Sequence, residues 1–435
     1  MPGTVLLPNL TALHIIDRTE TVREKSVLFL SLYVLFGPKL RIFRGHCAAG
    51  TRTPGDALGY AIQKLAEISP GLVYLNLFPT GRSSHACPLI SNALCSLLHL
   101  SDVAIASTPI SLKAFLHLAR LPSLRTLGVL LENGIEEQVL AALAESDDAN
   151  YLPQLTGLSL IYDGGMRVAS TIIRKVRSPH LRNVRIINES ESVHSLDMHE
   201  LFLSIAICNG CASIRSVYVT VSEIPEDDAI TEYTIAPLLI LQKLTELRIR
   251  ASGRFSINDL ACLVIAKTWP DLRTLNLGPQ RLDETPPATL TGLVYLAQGC
   301  RHLHSLGLAI NPDVTRLPRI CKLARPGLGF VQKKLVTMDV GRSKIRDPMA
   351  VAAFLSDLFP KLDNIDDGFP CEEDAYDEYV ETEEEREKIL ADAVHHTRWS
   401  EVMFDFLPEF VQIRKQERRW GLRHGEQPIP RVKII

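Results

Sequence analysis

The sequence predicts an α/β solenoid, with parallel β-strands on a concave face and α-helices on a convex one. Three observations carry that expectation. A unit Pro-x-Leu-x-x-Leu-x-Leu recurs, as at Pro8/Leu10/Leu13/Ile15, Pro70/Leu72/Leu75/Leu77, Pro153/Leu155/Leu158/Leu160 and Pro270/Leu272/Leu275/Leu277. The leading apolar residues fall at 10, 40, 72, 100, 124, 155, 181, 214, 244, 272, 303, 335 and 362, a mean period of roughly 29 residues. Stretches with helical apolar spacing lie between the units. That period belongs to the upper end of the leucine-rich-repeat range.

Each element follows from this frame. Alternation along a strand turns the first, fourth and sixth unit positions inward and the fifth outward. Eight of the thirteen units carry Pro two residues ahead of the leading position. Proline cannot donate a ladder hydrogen bond and disfavours helix before it, so it punctuates the turn ahead of a strand. Leu58/Ile62/Leu65, Leu290/Leu293/Leu296/Ala297 and Val351/Phe354/Leu355/Leu358 have the spacing of amphipathic helices. Ser256 with Asp259 ahead of Leu260–Ala266 reads as a capped helix start, and Val27–Phe36 as the convex helix of the first repeat. No repeat buries its apolar face alone; neighbours do so. Residues 1–368 therefore read as one solenoid of about 13 repeats, 369–388 as an acidic linker, and 389–435 as a C-terminal helical cap with a basic tail. In that last segment Trp399, Val402, Met403, Phe406, Leu407 and Phe410 are expected to cover the final repeat, with Pro408 interrupting the helix. The chain reaches a full repeat strand within ten residues of Met1, so the first repeat is expected to lack a cap and to fray.

Composition narrows the function. A net charge of −3 gives no global pull toward nucleic acid or membrane. The charge is unevenly placed, however: residues 363–387 hold 13 Asp/Glu against one Arg, leaving the remainder at +9. The most apolar run is shorter than the ~20 residues a bilayer span takes. Nine scattered Cys argue for a reducing compartment, cytoplasm or nucleus. Asn9-Leu10-Thr11 and Asn188-Glu189-Ser190 match the glycosylation triplet at chance frequency. Cys208-Asn209-Gly210-Cys211 lacks the second ligand pair a zinc site requires, and register places Cys211, like Cys300, in a helix-to-strand turn. The adjacent His395 and His396 point to different helix faces and make a poor metal pair. No phosphate-binding loop, nucleophile elbow or zincin motif is present. We therefore expect no catalytic residue, no cofactor and no metal.

The turns Gly210-Cys211-Ala212-Ser213-Ile214 and Gly299-Cys300-Arg301-His302-Leu303, with the long period, resemble the cysteine-containing class of leucine-rich repeats. The whole chain resembles the F-box-like leucine-rich-repeat proteins of mushroom-forming fungi, without a recognisable F-box. In that family the F-box docks an SCF ubiquitin-ligase adaptor and the repeats hold the substrate. The resemblance thus implies a substrate-receptor-like interaction module, with an SCF adaptor as partner only where an upstream F-box exists. A free-standing repeat scaffold is the alternative. A Ran GTPase-activating protein ranks lower, because the ninth unit position carries Asn only at Asn311 among the clear repeats. The fifth positions turn large and polar at Arg185, Tyr218, Arg248 and Asn276, which are expected to form a continuous ladder binding an acidic or phosphorylated protein.

Overall fold

A computed structural model describes residues 6–17, 31–47, 55–78, 88–144, 150–190, 192–278, 285–316, 330–376 and 382–424. The chain forms two compact units, Met1–Val193 with Glu200–Ser222, and His194–His199 with Glu223–Ile435. Both units share one architecture.

The first unit carries eight strands: β1 (Ala12–Asp17), β2 (Ile42–Cys47), β3 (Tyr74–Phe78), β4 (Asp102–Ile110), β5 (Thr126–Leu131), β6 (Gly157–Tyr162), β7 (Asn183–Asn188) and β8 (Ser216–Glu223). They pair in parallel in sequence order. Helices Gly55–Ile68, Pro88–Ser96, Leu112–Arg120, Glu136–Ala144 and Arg167–Lys175 connect them. The second unit continues the pattern with β10 (Glu246–Ser252), β12 (Thr274–Leu277), β13 (Ser305–Gly307), β14 (Thr337–Asp339) and β15 (Asn364–Asp366), again parallel and in order. A small side pair, β9 (Ile230–Thr231) with β11 (Phe255–Ser256), lies outside this ladder. Every one of the thirteen units is a strand of a leucine-rich-repeat fold.

The inward positions are dry. Leu75, Leu127, Leu158, Val184, Leu247, Leu275, Leu306 and Met338 are all buried, as are the leading residues from Leu40 to Leu362. The first repeat differs: Leu10, Leu13 and Ile15 are only half-buried, and Ile16 is exposed. Strand β1 has a ladder partner on one side only, β2. We expect amides of residues 12–16 to exchange with solvent at least about a hundredfold faster than those of 275–277. Equal protection of the two segments would contradict that. Fraying is expected to stop short of the second repeat, whose Phe36, Leu40 and Phe43 are fully buried.

Glycine packing explains the Gly-Cys turns. A Cβ on Gly299 would stand 2.4 Å from the Ala266 carbonyl oxygen, and one on Gly210 would stand 2.6 Å from Leu181 Cβ. Each turn therefore presses against the preceding repeat, where only hydrogen fits. Gly299→Ala should cost about 1–3 kcal/mol by overpacking, read as a lowered melting temperature; an unchanged one would show that the turn has slack. Acids stitch successive helix starts together. Asp259, opening helix Asp259–Thr268, accepts from Thr289 N and Oγ1, both at 2.7 Å, and Thr289 caps helix Leu290–Gly299.

Several expectations are corrected. The cap of helix Asp259–Thr268 is Asn258, whose Oδ1 accepts from Ala261 N at 2.9 Å; Ser256 lies in β11. Most of the helix expected over Val27–Phe36 lies outside the described residues, and Leu32–Leu35 is a 3₁₀ turn. The acidic linker is partly regular structure. Glu372–Tyr376 is 3₁₀, and Thr382 and Glu385 form a reciprocal capping box that starts helix Glu383–Ser400, where three acids complement the helix dipole. Pro408 does not interrupt the C-terminal helix. It stands at the start of Leu407–His424, where its missing N–H is tolerated, after a π-helical stretch Glu401–Phe406.

The C-terminal segment does cover the last repeats. Trp399, Val402 and Leu407 are buried, and the Trp399 indole donates to the Ser343 carbonyl at 2.7 Å. His395 Nδ1 lies 3.2 Å from the Ile345 carbonyl, and His396 Nδ1 lies 3.2 Å from Asp367 Oδ2. Both histidines thus have packing partners. Burial holds the His395 imidazole below its ordinary value and the Asp367 carboxyl above its own. Phe404 and Ile413 remain exposed, so the cover uses one face of the segment.

Candidate functional site: the outer strand face

Because Leu at the fourth and sixth positions points inward, the third and fifth positions of each strand form the outer sheet face. In the first unit the fifth positions pair strand to strand without a break: His14, Arg44, Asn76 and Ala104, then Gly128, Ser159, Arg185 and Tyr218. In the second unit they run Arg248, Asn276, Gly307, Asp339 and Asp366.

Two arginine–tyrosine pairs stand on the first unit's face. The Arg185 guanidinium lies 4.9 Å from the Tyr218 ring centroid, and Arg44 lies 4.6 Å from that of Tyr74. Asn76 donates to the Tyr74 hydroxyl at 3.2 Å. Such stacking orients the guanidinium and leaves its N–H edge to meet an anion. Between the pairs, the third and fifth positions of β4 to β6 carry small groups: Asp102 and Ala104, Thr126 and Gly128, Gly157 and Ser159. A Cβ on Gly128 or Gly157 would meet its nearest neighbour at 3.6 Å, an ordinary contact, so packing does not demand glycine there. The low floor belongs to the surface, not to the core. Asp102 is already engaged, accepting from the Ser101 hydroxyl and, at 2.6 Å, from Thr126 Oγ1.

The second unit's face is built differently. Asn276 Oδ1 accepts from Gly278 N at 3.1 Å, and Gly278 sits at φ +68°. Its amide also packs over Gly307, where a Cβ would stand 2.5 Å from Nδ2. Asp339 with Gly341 and Asp366 with Gly368 repeat the arrangement, at 3.0 and 3.3 Å. Burial raises the Asp339 carboxyl above its usual range, and the neighbouring Asp366 adds to the shift. Asn276 is therefore a turn-forming residue, while Arg248 beside it is half-buried. The Asn/Asp-x-Gly pattern at strand ends was the signal for this turn, and alternation alone does not reveal it. Alternation also passes over the third positions, Tyr74 among them.

Thiol chemistry finds little support. Burial pushes the Cys208 thiol up to about 11 and that of Cys300 up to about 12, so both are protonated at neutral pH. Cys300 Sγ instead donates to the Trp269 carbonyl at 3.5 Å. Asn188 of the second triplet is buried and donates to the Gly164 carbonyl at 2.6 Å, which occupies the atom a glycan would need. Among the described residues, no group of three or more His, Cys, Asp or Glu converges on a metal position, and no helix is long and apolar enough to cross a membrane.

No protein-family model and no curated protein matches the chain. Among solved structures it is similar to a chain of the yeast Rad7–Elc1 complex, at 16% identity and a TM-score of 0.43, covering 82% of this chain and 76% of that one. It is also similar to a chain in the complex of the plant peptide hormone receptor RGFR1 with RGF2, at 14% identity and a TM-score of 0.31, covering 83% and 71%.

Proposed function

We propose that this protein is an interaction module that holds a protein partner on its outer strand face and works by binding rather than by catalysis. The observation that carries the reading is the pair of Arg–Tyr stacks, Arg44/Tyr74 and Arg185/Tyr218, on either side of β4 to β6, whose third and fifth positions hold only Asp, Ala, Thr, Gly and Ser. Tyrosine brings a large, stiff contact group at low entropic cost, and arginine, held over it by stacking, is enriched with it where interfaces carry their binding energy. On the second unit, Arg248 is the fifth-position residue of β10 and pairs with Asn276. Asn276 contributes its donor edge while its oxygen serves the turn.

The test is quantitative affinity capture with the full chain against the variant Arg185→Ala/Tyr218→Ala/Arg248→Ala. A partner of this surface should be depleted at least about tenfold by the variant, with the melting temperature within about 2 °C of wild type, since none of the three side chains belongs to the buried core. A partner set unchanged by the triple substitution would remove the surface from the account. The finer reading, a substrate receptor related to F-box adaptors, rests on the family resemblance. It requires an SCF adaptor among the captured proteins, and its consistent absence would favour a free-standing scaffold. Among the described residues Cys95, Cys208, Cys211, Cys262, Cys300 and Cys371 are free thiols, in keeping with the reducing environment of cytoplasm or nucleus.

A further inference from the structure

The second unit position precedes each strand and sits at the entry edge of the sheet. From β5 to β8 it holds Arg125, Thr156, Arg182 and Arg215, and backbone hydrogen bonds join these residues in one line. Thr156 N donates to Arg125 O at 2.7 Å, Arg182 N to Thr156 O at 2.8 Å, and Arg215 N to Arg182 O at 2.8 Å. All three arginine side chains are exposed. Arg185 stands three residues beyond Arg182 on the same strand, over Tyr218.

The surroundings are one-signed. Across the entry turns and strand starts, residues 120–128, 150–159, 176–185 and 208–218, there is no Asp, Glu or Lys. Within the first unit, the outward acid on the adjoining strand β4, Asp102, is held by Ser101 and Thr126. A chain of net charge −3 has therefore concentrated arginine, and only arginine, on one sector. Lysine serves as well for a diffuse field; arginine alone gives forked, bidentate geometry to tetrahedral or planar anions. At about 4.8 Å per strand and 3.3 Å per residue the sector spans about 14 by 10 Å. That extent suits one short anionic segment and is small for a nucleic-acid track.

We propose that this arginine sector is a phosphate-binding subsite that recognises a phosphorylated segment of the protein partner, at the edge leading onto the Arg185/Tyr218 face. The inference rests on the interaction-module reading and adds the chemistry of the partner. One partner phosphate would take forked hydrogen bonds from Arg125 and Arg182, and the flanking chain would run toward Tyr218.

The experiment uses the full chain and three immobilised peptide pools, with fixed phosphoserine, serine or glutamate at the centre of otherwise degenerate sequences. Retention of the phosphoserine pool should exceed that of the serine pool by at least about tenfold. It should fall by a similar factor in Arg125→Gln/Arg182→Gln, with melting within about 2 °C of wild type. Arg125→Lys/Arg182→Lys, which keeps the charge and removes the fork, should fall between the two. Undiminished retention by the Gln variant overturns the assignment. So does a glutamate pool held as well as the phosphoserine pool, failure of the wild-type chain to select phosphoserine, or complete displacement by oligouridylate. If the Gln variant retains phosphoserine while the Arg185/Tyr218/Arg248 variant still loses its native partner, the phosphate subsite falls and the interaction module stands.

Discussion

Leu275→Asp is expected to abolish the cooperative unfolding transition. Leu275 is fully buried at the fourth unit position, on β12, paired with Leu247 on one side and Leu306 on the other. A carboxylate there loses its hydration and finds no donor among the neighbouring leucines, a cost that exceeds about 4 kcal/mol whether the group stays charged or protonates. Against a total stability of about 5–15 kcal/mol for a domain, that is decisive. Repeats stabilise only through their neighbours, so a broken repeat also uncovers the two beside it. Leu158→Asp is the equivalent test in the first unit. Differential scanning calorimetry is the measurement. A soluble Leu275→Asp protein with an unchanged melting temperature would count against the repeat register itself.

Trp399→Ala should produce the second-largest loss. The indole is 1% exposed, and its Nε1–H donates to the Ser343 carbonyl. Ser343 is itself buried, and its hydroxyl accepts from Ile310 N at 2.8 Å. The C-terminal helix is thereby tied to the loops that follow β13 and β14. Truncation opens a large cavity and unpairs a buried carbonyl, costing about 3–5 kcal/mol. For the second unit, of about 220 residues, that corresponds to a melting temperature lower by roughly 6–12 °C. Trp399→Phe should lose less, because most of the volume stays. Trp420→Ala, at an exposed position, should lose almost nothing. An unchanged Trp399→Ala melting curve would mean that the C-terminal segment is an appendage and does not cover the repeats.

The register was legible because it depends on one strong periodic signal. Leucine at the fourth and sixth positions can face only the core, and this fixed both the pairing of Arg185 with Tyr218 and that of Arg248 with Asn276. What periodicity does not encode was not legible. The turn role of Asn276 depends on Gly278 taking positive φ, a local side-chain-to-backbone bond. Helix Glu383–Ser400 was obscured by its charge, although Thr382 and Glu385 spell a capping box. The arginine edge escaped because position two lies before the strand, where alternation has not begun. Its alignment appears only once the backbone bonds from Arg125 through Arg182 to Arg215 are seen.

The central claim is that the outer strand face is where a partner sits, and site-specific photocrosslinking tests it most directly. A benzoylphenylalanine placed at Tyr218 probes that face. One placed at Leu260, an exposed apolar residue of helix Asp259–Thr268, probes the helical side. The account predicts a discrete protein adduct from position 218 that disappears when Arg185→Ala is added, and none from position 260. An adduct from position 260 with none from position 218 would contradict it.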